Sequence, residues 1–147
     1  MPKISTSLEQ SRKLIELGIN TKTADLIYSS YGFDGPPTNG DDKLKTTFGD
    51  KDNHWYHLEF YEDFFNEDWA QQNKEHPNVP AWSLSALLSV IPHVVANHSL
   101  VIEKENKVYH IYYHDFSTGD VLHIYSMDDP IDAAFEMICW LKENKHM

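Results

Sequence analysis

Apolar residues fall into two periods along this chain, near four in some stretches and two in others. Near the start, Leu8, Leu14, Ile15 and Leu17 follow Thr6-Ser-Leu-Glu9. That spacing predicts a helix from Ser7 to Leu17, with Thr6 as cap and Glu9 reaching back to its backbone N–H in a capping box. Gly18 and then Ile19 suit a left-handed stop with a hydrophobic follower. Thr21 restarts the pattern through Ala24, Leu26, Ile27 and Tyr28 to Tyr31-Gly32, which predicts a second helix and so a helical hairpin.

The stretch "VPAWSLSALLSVIPH", Val79 to His93, predicts a short middle helix. With Ser83 as cap, Leu84, Leu87, Leu88 and Ile91 form one stripe, Ser85 and Ser89 mark the opposite face, and Pro92 ends it. Trp82 and Leu87 then have the spacing of a hydrophobic staple, the alternative being an exposed binding tryptophan.

From Leu100 the period is two. Leu100 to Lys104, the turn Glu105-Asn106, and Lys107 to Asp115 read as a hairpin, and Val121 to Ser126 returns after the turn Ser117-Thr-Gly-Asp120. With even turns, Ile102 faces Tyr109 and Tyr113 faces Ile124. The inner face becomes Leu100, Ile102, Tyr109, Ile111, Tyr113, Leu122 and Ile124. Asp129-Pro130 opens a final helix, whose stripe is Ile131, Ala134, Phe135, Ile138 and Leu141.

Residues 33–53 lose periodicity and are rich in turn chemistry: Gly35-Pro-Pro37, Asn39-Gly40-Asp-Asp42 and Gly49-Asp50-Lys-Asp52-Asn53. "HWYHLEFY", His54 to Tyr61, reads as a strand, and Glu62 to Pro77 as an acidic stretch with a helical turn or two. Residues 33–77 thus form a long loop or variable insertion within one domain, 1–147. The fold class is α+β: an antiparallel meander of three to four strands packed against a C-terminal helix, with an N-terminal helical hairpin and a short middle helix.

Composition narrows the use of such a fold. With 41% apolar and 13% aromatic residues, 147 residues are enough for a real core. The net charge of −11 disfavours phosphate-backbone binding and membrane-surface attachment, which need positive charge. The lone Cys139 sits in a helical pattern beside Ile138 and reads as a small buried hydrophobe. Met-Pro-Lys-Ile-Ser-Thr-Ser has no apolar secretion core, and Leu84 to Ala96 is too short and too polar to span a bilayer. The expectation is a cytoplasmic protein with no membrane partner.

Four stretches, "SLEQSRKLIELGI", "TADLIY", "VPAWSLSALLSVIP" and "DPIDAAFEMICWLKEN", together resemble a family of small acidic proteins common in gut Bacteroidetes genomes, often encoded near phage or mobile-element genes. No activity is established for that family. The resemblance implies an origin and a cytoplasmic setting, and assigns no catalytic or binding residue.

Chemistry is most concentrated on the meander. His110, Tyr112 and His114 share one strand face, and the even turn pairs His114 with His123 and Tyr112 with Tyr125. Those five residues form a candidate partner-binding face. Two cross-strand imidazoles could also share zinc with a third ligand from His110 or Asp115. A one-residue change at the second turn would instead send His114 and His123 to opposite faces. "LIELGINTKTADLIYSS" has a helix-turn-helix outline, but its second half offers only Lys22 against Asp25 for a DNA phosphate. The acids Asp41, Asp42, Asp50 and Asp52 lack the alternate ligand spacing of an EF-hand. No nucleophile elbow, phosphate loop, cysteine pair or His-Glu-x-x-His occurs. The residues therefore favour a non-enzymatic protein-interaction module with no cofactor. Two alternatives stay open: a small metal-dependent enzyme using the histidine face, and an acidic nucleic-acid mimic or regulator.

Overall fold

Ser7, rather than Thr6, opens the first helix. Its hydroxyl accepts the Gln10 N–H while the Gln10 side chain accepts the Ser7 N–H, a capping box one residue later than expected. This helix, α1 (Leu8–Glu16), ends at Leu17, and Gly18 follows at φ +85°, the left-handed stop read from the sequence.

The expected second helix is a strand. After a single 3-10 turn, Thr21–Thr23, capped by the Asn20 side chain, the chain extends into β1 (Leu26–Gly32). The helical hairpin is therefore corrected, and the helix-turn-helix outline goes with it. β1 lies inside an antiparallel sheet with β2 (Thr47–Gly49), β3 (Trp55–Phe60) and β4 (Val79–Ala81), in the order β2-β3-β1-β4. Leu26, Ile27 and Tyr28 are buried in succession. A central strand covered on both faces shows such an unbroken apolar run, and so short a run cannot be told from a turn of buried helix. β3 is the strand read in "HWYHLEFY".

The computed structural model describes residues 3–32, 47–49, 55–60 and 78–147. The reading of 33–77 as a loop or insertion is corrected where the chain is described, because β2 and β3 pair within the first sheet and Tyr56 and Leu58 enter its core. The rest of 33–53, the acids Asp41, Asp42, Asp50 and Asp52, and the stretch Glu62 to Pro77 lie outside the described residues. The chain forms two compact units, Ser7–Trp82, and Ser83–Met147 with Met1–Thr6.

The first unit is held by Leu8 from α1, Leu26 and Tyr28 from β1, Tyr56 and Leu58 from β3, and Val79 and Ala81 from β4. The Arg12 guanidinium donates to the Tyr56 hydroxyl at 3.1 Å and lies over its ring. Trp82 is fully buried, and its indole N–H donates to Thr23 Oγ1 at 2.9 Å. A buried, hydrogen-bonded indole is architecture, so the exposed-tryptophan alternative fails.

In the second unit, Ser83 caps α2 (Leu84–Val90) by accepting the Ala86 N–H. Of the expected stripe, Leu87 and Ile91 are buried and Leu84 and Leu88 half-buried, Ala86 is buried beside them, and Ser85 and Ser89 are exposed as expected. Four strands follow as an antiparallel meander in chain order: β5 (Val94–Val95), β6 (His98–Glu105), β7 (Val108–His114) and β8 (Val121–Met127). Ala96 and Asn97 both take positive φ in the two-residue turn before β6. Asp129 then caps α3 (Pro130–Glu143), accepting the Ile131 and Asp132 N–H groups, with Pro130 at the first helical position. All five stripe residues of α3 are buried, as is Cys139, and the helix packs on β7, β8 and α2. Lys3 is tied to the start of α3 through Asp129 and Asp132. The fold is α+β, with a C-terminal helix on an antiparallel meander.

Candidate interaction face of the second sheet

Which side chains point outward is decided by register. Between β6 and β7 the turn is Asn106-Lys107, with Glu105 opposite Val108 and Ile102 opposite Ile111. Ile102 was expected opposite Tyr109, so the pairing slides by two residues and the side chains keep their expected faces, although Ile102, expected inside, is 45% exposed. Between β7 and β8 the outcome differs. His114 pairs with Val121 across a turn of even length, but Tyr113 pairs with His123, leaving Leu122 as an extra residue. This bulge rotates the rest of β8 by one position. Tyr112 now faces Ile124, and Ile111 faces Tyr125.

The proposed pairs His114–His123 and Tyr112–Tyr125 are thereby corrected. His110, Tyr112 and His114 do share one face, directed away from α3. His123 and Tyr125 lie on the other, beside the buried Ile111 and Tyr113. A zinc ion held by His114 and His123 has no geometric basis, because the sheet separates them. Among the described residues no group of three histidine, cysteine or carboxylate side chains converges on one point.

The α3 side shows why β8 settles this way. The His123 ring stacks on Trp140 of α3 with centroids 4.3 Å apart and planes 5° from parallel. Tyr125 meets His123 edge-on at 4.8 Å, and His146 stacks on Trp140 at 5.1 Å. Burial holds the His123 imidazole below its usual range, so it packs as a neutral ring. The Tyr125 phenol is pushed up, by burial first and then by the carboxylates of Glu136 and Glu143. The Tyr113 hydroxyl donates to the Pro92 carbonyl at 2.5 Å, and burial pushes it up to about 12.

The outward face is mixed. Tyr112 donates to Glu103 at 2.8 Å, and His110 hydrogen-bonds with Ser126 at 2.6 Å. Next to these polar pairs lie apolar residues that remain in water. Ile124 is 47% exposed, Val121 45% and Phe116 71%, with the His114 ring edge-on to Phe116 at 4.4 Å. Ile124 was expected on the inner face and is instead exposed, while Val121, left off that face, was not singled out as a surface residue. The only available hint was that the other parity of β8 carries large side chains too, at His123, Tyr125 and Met127.

One further histidine was not singled out. His98 is buried at the start of β6, with Nδ1 at 2.6 Å from the Ala96 carbonyl and Nε2 at 2.9 Å from Asp120 Oδ2. Both ring nitrogens meet acceptors, so the doubly protonated ring satisfies both. The Asp120 hydrogen bond, followed by that of Ala96, raises the pKa above its ordinary value against the opposing effect of burial. This pair ties the β7–β8 turn to the start of β6. Within the turn, Asp115 accepts from the Ser117 hydroxyl and from the Ser117 and Thr118 N–H groups, which hold its carboxyl down to about 2.

No protein-family model matches the chain, and no curated protein or solved structure matches it. No helix among the described residues is long and apolar enough to cross a membrane.

Proposed function

We propose that this protein is a non-enzymatic protein-interaction module that binds a protein partner through the outward face of its second sheet, and that it acts in the cytoplasm as a product of a phage or mobile element. The observation that carries the binding reading is the apolar and aromatic surface left in water there: Ile124, Val121 and Phe116 beside Tyr112 and His114. An antiparallel sheet normally turns a polar face to solvent, and apolar patches rimmed by polar groups are characteristic of contact surfaces. Tyr112 and His114 offer both a ring and a hydrogen-bonding tip, a combination common at interfaces. The origin and cytoplasmic setting rest on the four stretches of sequence resemblance.

Affinity capture of the tagged protein from its native host, with the retained proteins identified by mass spectrometry, tests the binding reading. The comparison is a variant carrying Tyr112→Ala, Phe116→Ser and Ile124→Thr, checked for folding by circular dichroism. The expected result is a protein partner retained by the wild type and lost by the folded variant. The same proteins retained by both would move binding elsewhere on the molecule.

A further inference from the structure

Among the described residues the two sheets end in β2, β4, β5 and β8. β2 and β4 each show three residues, with Pro80 inside β4. β5 has two residues and covers only His98 and Ser99 of β6, whose remaining outer side ends in the exposed charges Glu103, Lys104 and Glu105. Short edges and edge prolines are the ordinary protection against unwanted strand pairing. β8 is different. It runs for seven residues, "VLHIYSM", without a proline or a charged side chain, and no strand among the described residues pairs with its outer side. Alternate residues of such a strand aim their N–H and C=O groups away from β7, where another strand would receive them.

The surroundings of that edge are acidic. Asp120, one of whose oxygens meets His98, precedes β8, and Asp128 follows it, both exposed. A second copy of this chain paired antiparallel would bring its own acidic ends against these, in a protein of net charge −11. A strand with basic ends would meet complementary charge.

We propose that the outer edge of β8 receives an extended segment of a basic protein, which adds a fifth strand to the second sheet with its lysines or arginines at the acidic ends of β8, above all against the exposed Asp128. The proposal rests on the reading of the protein as an interaction module and names the chemistry of its partner. Backbone hydrogen bonds along β8 supply the affinity, and alternate side chains of the incoming strand lie on the outward face beside Ile124 or on the α3 side beside Tyr125.

The test is a titration of the full, 15N-labelled chain with a short peptide of alternating valine and threonine carrying two lysines at each end. Three companions serve as controls: the same peptide with glutamates for lysines, its fully N-methylated form, and an Ile124→Lys variant of the protein. The expected result is amide shifts concentrated in Val121 to Met127, weakening on added salt. Affinity should fall by about tenfold or more for the N-methylated peptide, which lacks the backbone donors, for the glutamate peptide, whose charge is reversed, and for Ile124→Lys, which sets a cation beside the incoming lysines. Shifts confined to Val101, Tyr112 and Phe116 would overturn the edge proposal while leaving the outward face as a binding surface. Equal binding of the N-methylated peptide, no binding of any peptide, or association of the protein with itself through β8 would also overturn it. In each of those cases the capture comparison still judges the broader reading separately.

Discussion

His98 and His123 belong to one small unit, yet their environments push them in opposite directions. His98 gains a carboxylate and a carbonyl, so folding favours its charged form. Its stabilising contribution is fully present below the ordinary value of about 6.5 and is lost as pH rises through the raised folded value. His123, buried against Trp140, favours its neutral form. Its contribution is present above about 6.5 and is lost as pH falls toward the lowered folded value. An NMR titration of the imidazole signals should therefore find His98 inflecting above the ordinary histidine range and His123 below it. Asp120→Asn should bring the His98 inflection down and flatten the alkaline loss of stability in denaturant titrations. An unchanged inflection in that variant would remove Asp120 as the cause. Neither environment was legible in the sequence. The Asp120 partner lies 22 positions from His98, and Trp140 meets His123 only through the packing of α3.

Among elements, helices with a period and a capping signal and strands with alternation or an aromatic run were readable, while β1 and the face of β8, decided by sheet context, were not. α2 and α3 combine a repeating stripe with Ser83 or Asp129-Pro130 at the start, so local and long-range preferences agree. β1 has only the triplet Leu26-Ile27-Tyr28, and its neighbours β3 and β4, far away in sequence, make it a strand. β8 was correctly read as a strand but turned to the wrong face. The deciding Leu122 bulge has no sequence signal, because both parities of the strand carry large side chains. The structure predicts a sharp contrast between apolar positions. Ile124→Thr, on the outward face, should change stability by about 0.5 kcal/mol or less. Phe135→Ala, in the buried stripe of α3, should cost ~3–5 kcal/mol. A large loss in the Ile124 variant in a denaturant titration would mean that β8 turns that side chain into the core.

For the whole molecule, strong negative charge and an apolar, uncharged strand edge coexist, and they restrict partners in different ways. The charge repels phosphate backbones and other acidic surfaces, while the edge and the face beside it invite a strand or an apolar contact. Of the five residues read as a binding face, His110, Tyr112 and His114 lie together on the outward side, because they alternate along one strand and need no turn to be placed correctly. His123 and Tyr125 required the register across a turn, and they belong to the packing against α3. The proposed role depends on which way β8 faces, and one measurement reads that directly. A nuclear Overhauser spectrum of the labelled full chain should show contacts from the His123 ring to Trp140 and from the Ile124 methyl groups to the Tyr112 ring. Contacts from Ile124 to Phe135 or Ile111, with His123 beside His114, would place β8 the other way round and contradict the account.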